Sequence, residues 1–259
     1  MMMGKKSFYN GLTAASDTPI SEAKNLLLIW GQSNAAGSTD DVAPPEAYKD
    51  ANQNAFIMGW EDIDGTEINT FQKYRYQTGN SLGFKFGVET SLFFEYGQTP
   101  IYVVKVTRSG SSIQQWEKGT ALYDELILKI QQALAQESFD NIISYWDQYE
   151  SNVNSTAPDY ENDYKQLILD VETDLGFSFD YQLSAKTNPD YTFGKSQDFI
   201  DNFNIITQAQ VNLSNFYANY HIIDFDSDDR RDDHTHYSAD GNITRGVKVF
   251  NTIQSLING

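Results

Sequence analysis

The stretch NLLLIWGQSNAAG, residues 25–37, decides the fold of this 259-residue chain. Five apolar residues follow Asn25 without a polar interruption, which is typical of a strand buried on both faces, as in a parallel sheet. Gly31 and Gly37 bracket a short segment and leave room for a tight turn. The stretch therefore predicts a buried strand that ends in a turn carrying one serine, Ser33.

Similar short apolar runs recur along the chain, each bounded by polar or glycine-containing segments. The clear ones are IYVVKV from residue 101, NIISYW from 141, YQLSAK from 181 and YHIIDF from 220, and a weaker one is AFIMGW from 55. Together with the first strand, the clear runs predict a mainly parallel sheet of five strands.

Segments with helical spacing of apolar residues lie between these runs. Their marker residues are Leu82, Phe86, Phe93 and Tyr96 before Gly97; Leu122, Leu126, Ile130 and Ala133; Tyr160, Tyr164, Leu167, Val171 and Leu175 before Gly176; Phe199, Phe203 and Ile206; and Ile243, Val247, Phe250 and Ile257. The alternation of strands and helices favours right-handed βαβ units and an α/β fold, a three-layer α/β/α sandwich. We expect residues 1–24 to form an N-terminal arm and residues 25–259 to form one domain.

The composition excludes several functional classes. The formal net charge is −18, so the surface repels phosphate groups and we expect no nucleic-acid partner. The chain has no cysteine, which excludes disulfides, thiolate metal sites and thiol catalysis. The N-terminus has no continuous apolar segment behind its lysines, and no run is long enough to cross a bilayer. We therefore expect a soluble protein without a signal peptide or a membrane partner, either cytoplasmic or associated with a virion.

Ser33 is the first candidate for a functional residue. In open parallel α/β sheets ligands bind beyond the carboxyl ends of the strands, and Ser33 follows the first predicted strand closely. Its hydroxyl is therefore expected in the ligand crevice. The alternative is a plain strand-to-helix turn in which Ser33 or Asn34 caps the helix.

A serine nucleophile needs a base, and the chain has three histidines. His221 lies inside an apolar run and is interpreted as structural. His234 and His236 follow the last predicted strand, and Asp233 precedes His236 by three positions, so a single turn can bring its carboxylate to the imidazole. One alternative is a solvated acidic loop. Another is a calcium or zinc site in DFDSDDRRDDHTH, from residue 224, although this run lacks the glycine and terminal glutamate of an EF-hand loop.

Gly-Gln-Ser-Asn after the first strand and Asp-x-x-His before the last helix together resemble the SGNH (GDSL-like) hydrolases. More narrowly, they resemble the sialate O-acetylesterase and carbohydrate esterase family six branch, in which a glycine, here Gly241, follows the histidine. Two intermediate blocks also fit. In chain order, the second block is KVTRSGSSIQQW, from residue 105, and the third block is YWDQYESN, from residue 145. The resemblance covers residue 25 to the C-terminus and implies a flavodoxin-like form of the α/β/α sandwich.

The resemblance implies a role for each matching residue. Ser33 would be the nucleophile, His236 the general base and then acid, and Asp233 the residue that orients His236. The oxyanion hole would consist of the backbone N–H of Ser33, the backbone N–H of Gly110 and the side-chain amide of Gln148. This mechanism needs no metal and no organic cofactor.

The intermediate blocks depart from the pattern of the resembled branch at four positions. Ser109 replaces the first glycine of the second block, and Asp147, Tyr149 and Asn152 replace His, Gly and Asp in the third. We expect Tyr149 to add bulk near the substrate pocket, and Glu150 to be a structural acceptor within its own loop.

The resemblance therefore implies a serine esterase that removes acetyl groups from an O-acetylated glycan through an acyl-serine intermediate. The alternative, which the altered third block keeps open, is a catalytically weak or inactive glycan-binding or structural module. A bacteriophage origin would reconcile the absence of a secretion signal with an extracellular glycan target, because virions leave the cell by lysis. The arm SFYNGLTAASDTPI, from residue 7, would then contact virion partners.

Overall fold

The structure, a computed structural model, describes residues 23–37, 48, 54–60, 67–73, 87–97, 99–154, 157–225 and 230–259. Residues 1–22 of the predicted N-terminal arm lie outside the described residues. The same holds for Leu82 and Phe86, which belong to the helix predicted to end before Gly97.

One sheet of seven strands runs through the described part of the chain, which corrects the prediction of five strands. The strands are β1 (Asn25–Gly31), β2 (Ala55–Trp60), β3 (Glu67–Lys73), β4 (Ile101–Thr107), β5 (Asn141–Asp147), β6 (Tyr181–Ala185) and β7 (Tyr220–Ile223). Their order across the sheet is β3-β2-β4-β1-β5-β6-β7. Neighbouring strands are parallel except β2 and β3, so the prediction of a mainly parallel sheet is confirmed.

The two additional strands lie at one edge of the sheet. β2 coincides with the weaker apolar run from residue 55, whereas β3 carries no continuous apolar run. In β3 Ile68 is buried, and the exposed residues are Asn69, Thr70, Gln72 and Lys73. An antiparallel edge strand can face water on one side, so the search for runs buried on both faces misses it.

Helices cover both faces of the sheet and form the predicted three-layer sandwich. They are α1 (Ser33–Ala36), α2 (Val88–Glu95), α3 (Ala121–Gln136), α4 (Glu150–Val153), α5 (Tyr160–Leu175), α6 (Gln197–Phe216) and α7 (Ala239–Asn258). One core cluster joins α3, α5 and α6 to one face of the sheet, and a second joins α2 and α7 to the other. β1 contributes alternate residues to the two clusters because successive strand residues point to opposite faces. Within the described ranges, no helix is both long and apolar enough to cross a membrane.

The carboxyl ends of β1, β4 and β5 are level with one another. Gly31 of β1 pairs with Thr107 of β4 on one side and with Asp147 of β5 on the other. The segments that follow these three strands therefore meet at one edge of the sheet. β1 also marks the point where the strand order reverses, and in open α/β sheets ligands bind in the crevice at such a point.

A substitution at Gly31 tests whether the ends of β1 and β5 must lie this close together. It has a φ of 129°, and a Cβ atom there would lie 2.3 Å from the Asp147 carbonyl oxygen. We expect Gly31→Ala to lower the free energy of unfolding in urea by about 3 kcal/mol or more, because backbone strain and a main-chain clash add together.

Gly176, which follows α5, provides the matched control. Its φ is 70°, but an added Cβ atom would have nothing within 4 Å. Gly176→Ala should therefore lower the free energy of unfolding only by the cost of the left-handed conformation, about 1–2 kcal/mol. Equal losses in the two variants would show that the β1–β5 contact at Gly31 does not require glycine.

Candidate active site

Ser33 is the first residue of α1, directly after the carboxyl end of β1. The N-cap of this helix is Gln32, and its side chain makes no capping hydrogen bond, so neither Ser33 nor Asn34 has the capping role of the alternative interpretation. Ser33 is 8% exposed, and its Oγ lies 2.9 Å from Nε2 of His236. The hydroxyl is thus directed at an imidazole.

Asp233 contacts the other nitrogen of the His236 ring. Its Oδ2 lies 2.8 Å from Nδ1 of His236, and its Oδ1 accepts the backbone N–H groups of Thr235 and His236, both at 2.9 Å. Burial raises the pKa of Asp233, but the hydrogen bonds from His236 and Thr235 outweigh this effect and lower it to about 2. The charged carboxylate accepts the Nδ1 proton, which leaves Nε2 of His236 as the acceptor for the Ser33 hydroxyl.

The other two histidines lie outside this hydrogen-bonded chain. His234 has a φ of 58°, and its ring packs against Phe193 with 4.8 Å between the ring centroids. His221 lies in β7, where partial burial lowers its pKa. Only His236 pairs with Asp233, as the Asp-x-x-His spacing predicts.

The predicted oxyanion donors lie beyond the ends of β1, β4 and β5. The Ser33 N–H is in the first turn of α1 and has no partner within that helix. Gly110 is exposed and has a φ of 74°. The amide nitrogen of Gln148 already donates to the Ser111 carbonyl oxygen at 2.9 Å and to Asn152 Oδ1 at 2.6 Å. Both amide hydrogens of Gln148 are therefore engaged within the protein.

Asn152 fixes this orientation of Gln148. Its Oδ1 also accepts the backbone N–H of Ile113 at 2.9 Å, and its Nδ2 donates to Gln114 Oε1 at 3.1 Å. Its oxygen therefore faces two N–H donors, and a carboxylate could accept the same two hydrogen bonds. The replacement of the Asp of the resembled branch by Asn152 keeps the acceptor and adds a donor.

Glu150 connects the third block to α1, a role that the sequence analysis missed. Its carboxyl group accepts a hydrogen bond from the side-chain amide of Gln32 and another, at 2.6 Å, from that of Asn34. Burial and the charge of Asp147 raise the pKa of Glu150 to about 7, although its hydrogen bonds act in the opposite direction. One buried carboxyl group thus holds the residues on both sides of Ser33.

Two buried cations contact the backbone of α1, and the sequence analysis identified neither. Arg245 of α7 donates to the Asn34 carbonyl oxygen at 3.3 Å, and Lys105 of β4 donates to the Ala36 carbonyl oxygen at 2.9 Å. Each cation has a buried carboxylate partner, in the pairs Arg245–Asp147 and Lys105–Glu89. Cations stabilise the carbonyl end of a helix, so both pairs fix the position of α1.

Asp147 and Tyr149, which depart from the pattern of the third block, are buried and have contacts inside the protein. Besides its ion pair, Asp147 accepts a hydrogen bond from the Tyr145 hydroxyl at 3.3 Å. Tyr149 is 2% exposed, its ring packs against Phe203 of α6, and its hydroxyl accepts the Asn188 backbone N–H at 3.1 Å. The expectation that Tyr149 narrows the substrate pocket is wrong, because its side chain lies in the core beneath α6.

A calcium or zinc site in the acidic run from residue 224 is the alternative function of this loop. Within the part of the chain that the structure describes, no group of three or more His, Asp or Glu side chains is arranged to hold a metal ion. Residues 226–229 of this run lie outside the described residues. Asp233, at its other end, is engaged by His236 and Thr235.

Comparison with known protein families agrees with this fold. The family model for carbohydrate esterase, sialic acid-specific acetylesterase, matches residues 23–255. The chain belongs to this family. It is a carboxylic ester hydrolase of the acetylesterase class, and the predicted relationship to SGNH hydrolases is confirmed. Comparison with curated proteins gives no match.

Solved structures share the fold of this acetylesterase at low sequence identity. A protein from Arabidopsis thaliana has a TM-score of 0.67 and 18% identity, over 90% of this chain and 98% of its own. A carbohydrate acetylesterase from Xanthomonas citri has a TM-score of 0.66 and 16% identity, over 91% of this chain and 56% of its own. NanS has a TM-score of 0.61 and 15% identity, over 93% of this chain and 98% of its own. At these identities the likeness shows the fold alone.

Glu150 makes the stability of this acetylesterase depend on pH. Folding raises its pKa from 4.5 to about 7, so its stabilising contribution is fully present below pH 4.5 and is lost as the pH rises to about 7. This difference corresponds to about 3 kcal/mol. We expect the difference in unfolding free energy between wild type and Glu150→Gln to fall by about that amount from pH 4.5 to 7, measured in urea.

Glu161 provides the matched control for this measurement. Its pKa is lowered by its hydrogen bonds with Lys165 and Asn212, so its stabilising contribution is present above the unfolded pKa of 4.5 and is not lost as the pH rises. The difference between wild type and Glu161→Gln should therefore stay flat from pH 4.5 to 7. A flat difference for Glu150→Gln as well would show that Glu150 does not titrate within this range.

Proposed function

We propose that this acetylesterase removes acetyl groups from O-acetylated carbohydrate through an acyl-serine intermediate formed on Ser33. One observation carries the proposal. Asp233 Oδ2 lies 2.8 Å from His236 Nδ1, and His236 Nε2 lies 2.9 Å from Ser33 Oγ. This order of carboxylate, imidazole and hydroxyl is the arrangement that activates a serine for acyl transfer.

The reaction follows from these contacts. Nε2 of His236 takes the hydroxyl proton as Ser33 Oγ attacks the acetyl carbonyl carbon, and Asp233 stabilises the imidazolium that forms. The tetrahedral intermediate then expels the sugar oxygen, which receives the proton from Nε2. Water, activated by the same nitrogen, attacks the acetyl-serine, so acetate leaves and the Ser33 hydroxyl is restored.

The developing charge on the carbonyl oxygen requires preorganised N–H donors. In this proposal the backbone N–H groups of Ser33 and Gly110 provide two of them. Gln148 provides the third by moving one amide hydrogen from the Ser111 carbonyl oxygen to the oxyanion. Its other hydrogen stays on Asn152, which keeps the amide in place.

The carbohydrate part of the substrate is supported by the family and by the similar structure from Xanthomonas citri, which is that of a carbohydrate acetylesterase. We also propose a preference for short acyl groups. The family, described as an acetylesterase, supports this preference, whereas Tyr149 is buried and does not.

A second candidate function has one observation in its favour. If both amide hydrogens of Gln148 remain engaged within the protein, the oxyanion hole has one donor fewer. The chain would then be a catalytically weak module that binds glycans or has a structural role. Location in a virion, and partners of the N-terminal arm, stay predictions, since residues 1–22 lie outside the described residues.

The first test removes the nucleophile. We expect Ser33→Ala to lower the rate of p-nitrophenyl acetate hydrolysis by about 10⁴-fold or more. Its free energy of unfolding should change by only about 1 kcal/mol, because a single hydrogen bond of the side chain is lost. Activity close to that of the wild type would remove Ser33 from the mechanism.

The base is tested in the same assay with His236→Ala, which should cause a comparable loss. His221→Gln is the matched control, because His221 lies in β7 and makes no contact with Ser33 or Asp233 within the described residues. It should retain the wild-type rate, and EDTA should have no effect on the wild type. Inactivation by EDTA would support a metal site in the acidic loop and contradict the role given to His236.

Variants of Gln148 and Asn152 distinguish the two candidate functions. If Gln148 donates to the oxyanion, Gln148→Ala should lower kcat on the order of a hundred- to a thousand-fold. Asn152→Ala should also lower kcat, because the amide loses the acceptor that positions it, whereas Asn152→Asp keeps that acceptor and should retain most activity. An unchanged kcat in Gln148→Ala would favour the weaker oxyanion hole of the second function.

A further inference from the structure

Phe193 is exposed next to the catalytic loop. Of the large apolar side chains in the described ranges it is the most exposed, at 72%. It lies between the 3₁₀ turn Pro189–Thr192 and Gly194, which has a φ of 69°. An aromatic ring in this position adds little to the core.

The ring of Phe193 packs against that of His234. The ring centroids are 4.8 Å apart, with 38° between the planes. Among the described residues other than glycine, His234 alone has a positive φ, 58°, a conformation that costs about 1 kcal/mol or more. Two adjacent rings therefore present one aromatic surface, and it includes a residue with a strained backbone.

This surface lies beside the candidate catalytic residues. His234 and His236 are two positions apart in the chain, so their Cα atoms are about 7 Å apart at most. His236 Nε2 in turn lies 2.9 Å from Ser33 Oγ. The pair formed by Phe193 and His234 therefore lies next to the loop that holds His236 against Ser33.

Local hydrogen bonds hold the segment that carries Phe193. The Phe193 N–H donates to the Asp190 carbonyl oxygen at 3.0 Å, and the Asp190 N–H donates to Asn188 Oδ1 at 2.8 Å. The Tyr191 hydroxyl donates to the Glu150 carbonyl oxygen at 3.4 Å. The segment is thus tied to Glu150, whose side chain holds α1, and this contact preorganises the exposed ring.

We infer that Phe193, supported by His234, stacks on a sugar ring of the acetylated substrate. The electron-rich face of an aromatic ring attracts the C–H groups on the face of a pyranose, and this contact needs no charged partner. The inference rests on the proposed function and identifies a specificity residue for it. Because the contact is remote from the ester bond, its loss should raise KM more than it lowers kcat.

The test compares acetate release from β-D-glucose pentaacetate with that from ethyl acetate, which has no ring. We expect Phe193→Ala to lower the ratio of kcat/KM for the sugar to kcat/KM for ethyl acetate by about fivefold to tenfold, mainly through KM for the sugar. Phe193→Trp keeps an aromatic face and should retain most of the wild-type ratio.

Phe216→Ala is the matched control. Phe216 is 63% exposed, and it ends the 20-residue helix α6, which spans about 30 Å, whereas Phe193 precedes the start of that helix. Its ratio should equal that of the wild type. An unchanged ratio in Phe193→Ala, an equal fall in Phe216→Ala, or a wild type that cleaves ethyl acetate but not the sugar ester would each overturn the inference. Failure of the proposed function is a separate result, namely full activity of Ser33→Ala on both esters.

Discussion

The position of Ser33 depends on buried charged side chains that contact the four-residue helix α1. A helix this short leaves most of its N–H and C=O groups without partners of its own. Glu150 accepts the side-chain amides on either side of Ser33, while Lys105 and Arg245 donate to carbonyl oxygens of the helix. An unpaired buried ion costs several kcal/mol, so each cation also has a carboxylate partner. Ser33 is therefore positioned by a network that joins α1 to β4, α4 and α7.

The sequence predicted those features that short segments determine. A strand buried on both faces excludes polar residues, so β1 is visible as an unbroken apolar run. Asp233 and His236 lie three positions apart, and a single turn brings them together, so their pairing also follows from local spacing. The link between this loop and Ser33 was different in kind, because it came from four ordered blocks that resemble a known family.

The features that the sequence did not predict depend on residues far apart in the chain, or on the direction in which a side chain points. Residue spacing does not give that direction. Arg245 and Asp147 are 98 positions apart, and neither residue alone indicates a buried pair. The change from glycine to Tyr149 predicted added volume, but the backbone directs that volume toward α6 and away from the crevice. Similarly, the identity of Gln148 indicates a side-chain amide, but not the direction in which its N–H groups point. That orientation is set by Ser111 and Asn152 together.

Ser33 differs from His236 and Asp233 in its exposure to solvent, so the buried and the exposed parts of the candidate site have different roles. Ser33 is 8% exposed, whereas the side chains of His236 and Asp233 are 26% and 40% exposed. The low pKa of Asp233 keeps its carboxylate charged across the ordinary pH range, so the exposed loop holds its geometry through local hydrogen bonds. A serine enclosed by buried ion pairs tolerates little variation around it. In the proposed function, the choice of sugar would then be made on the exposed side, by the loop of His236 and by Phe193, where residues can change without disturbing the network beneath α1.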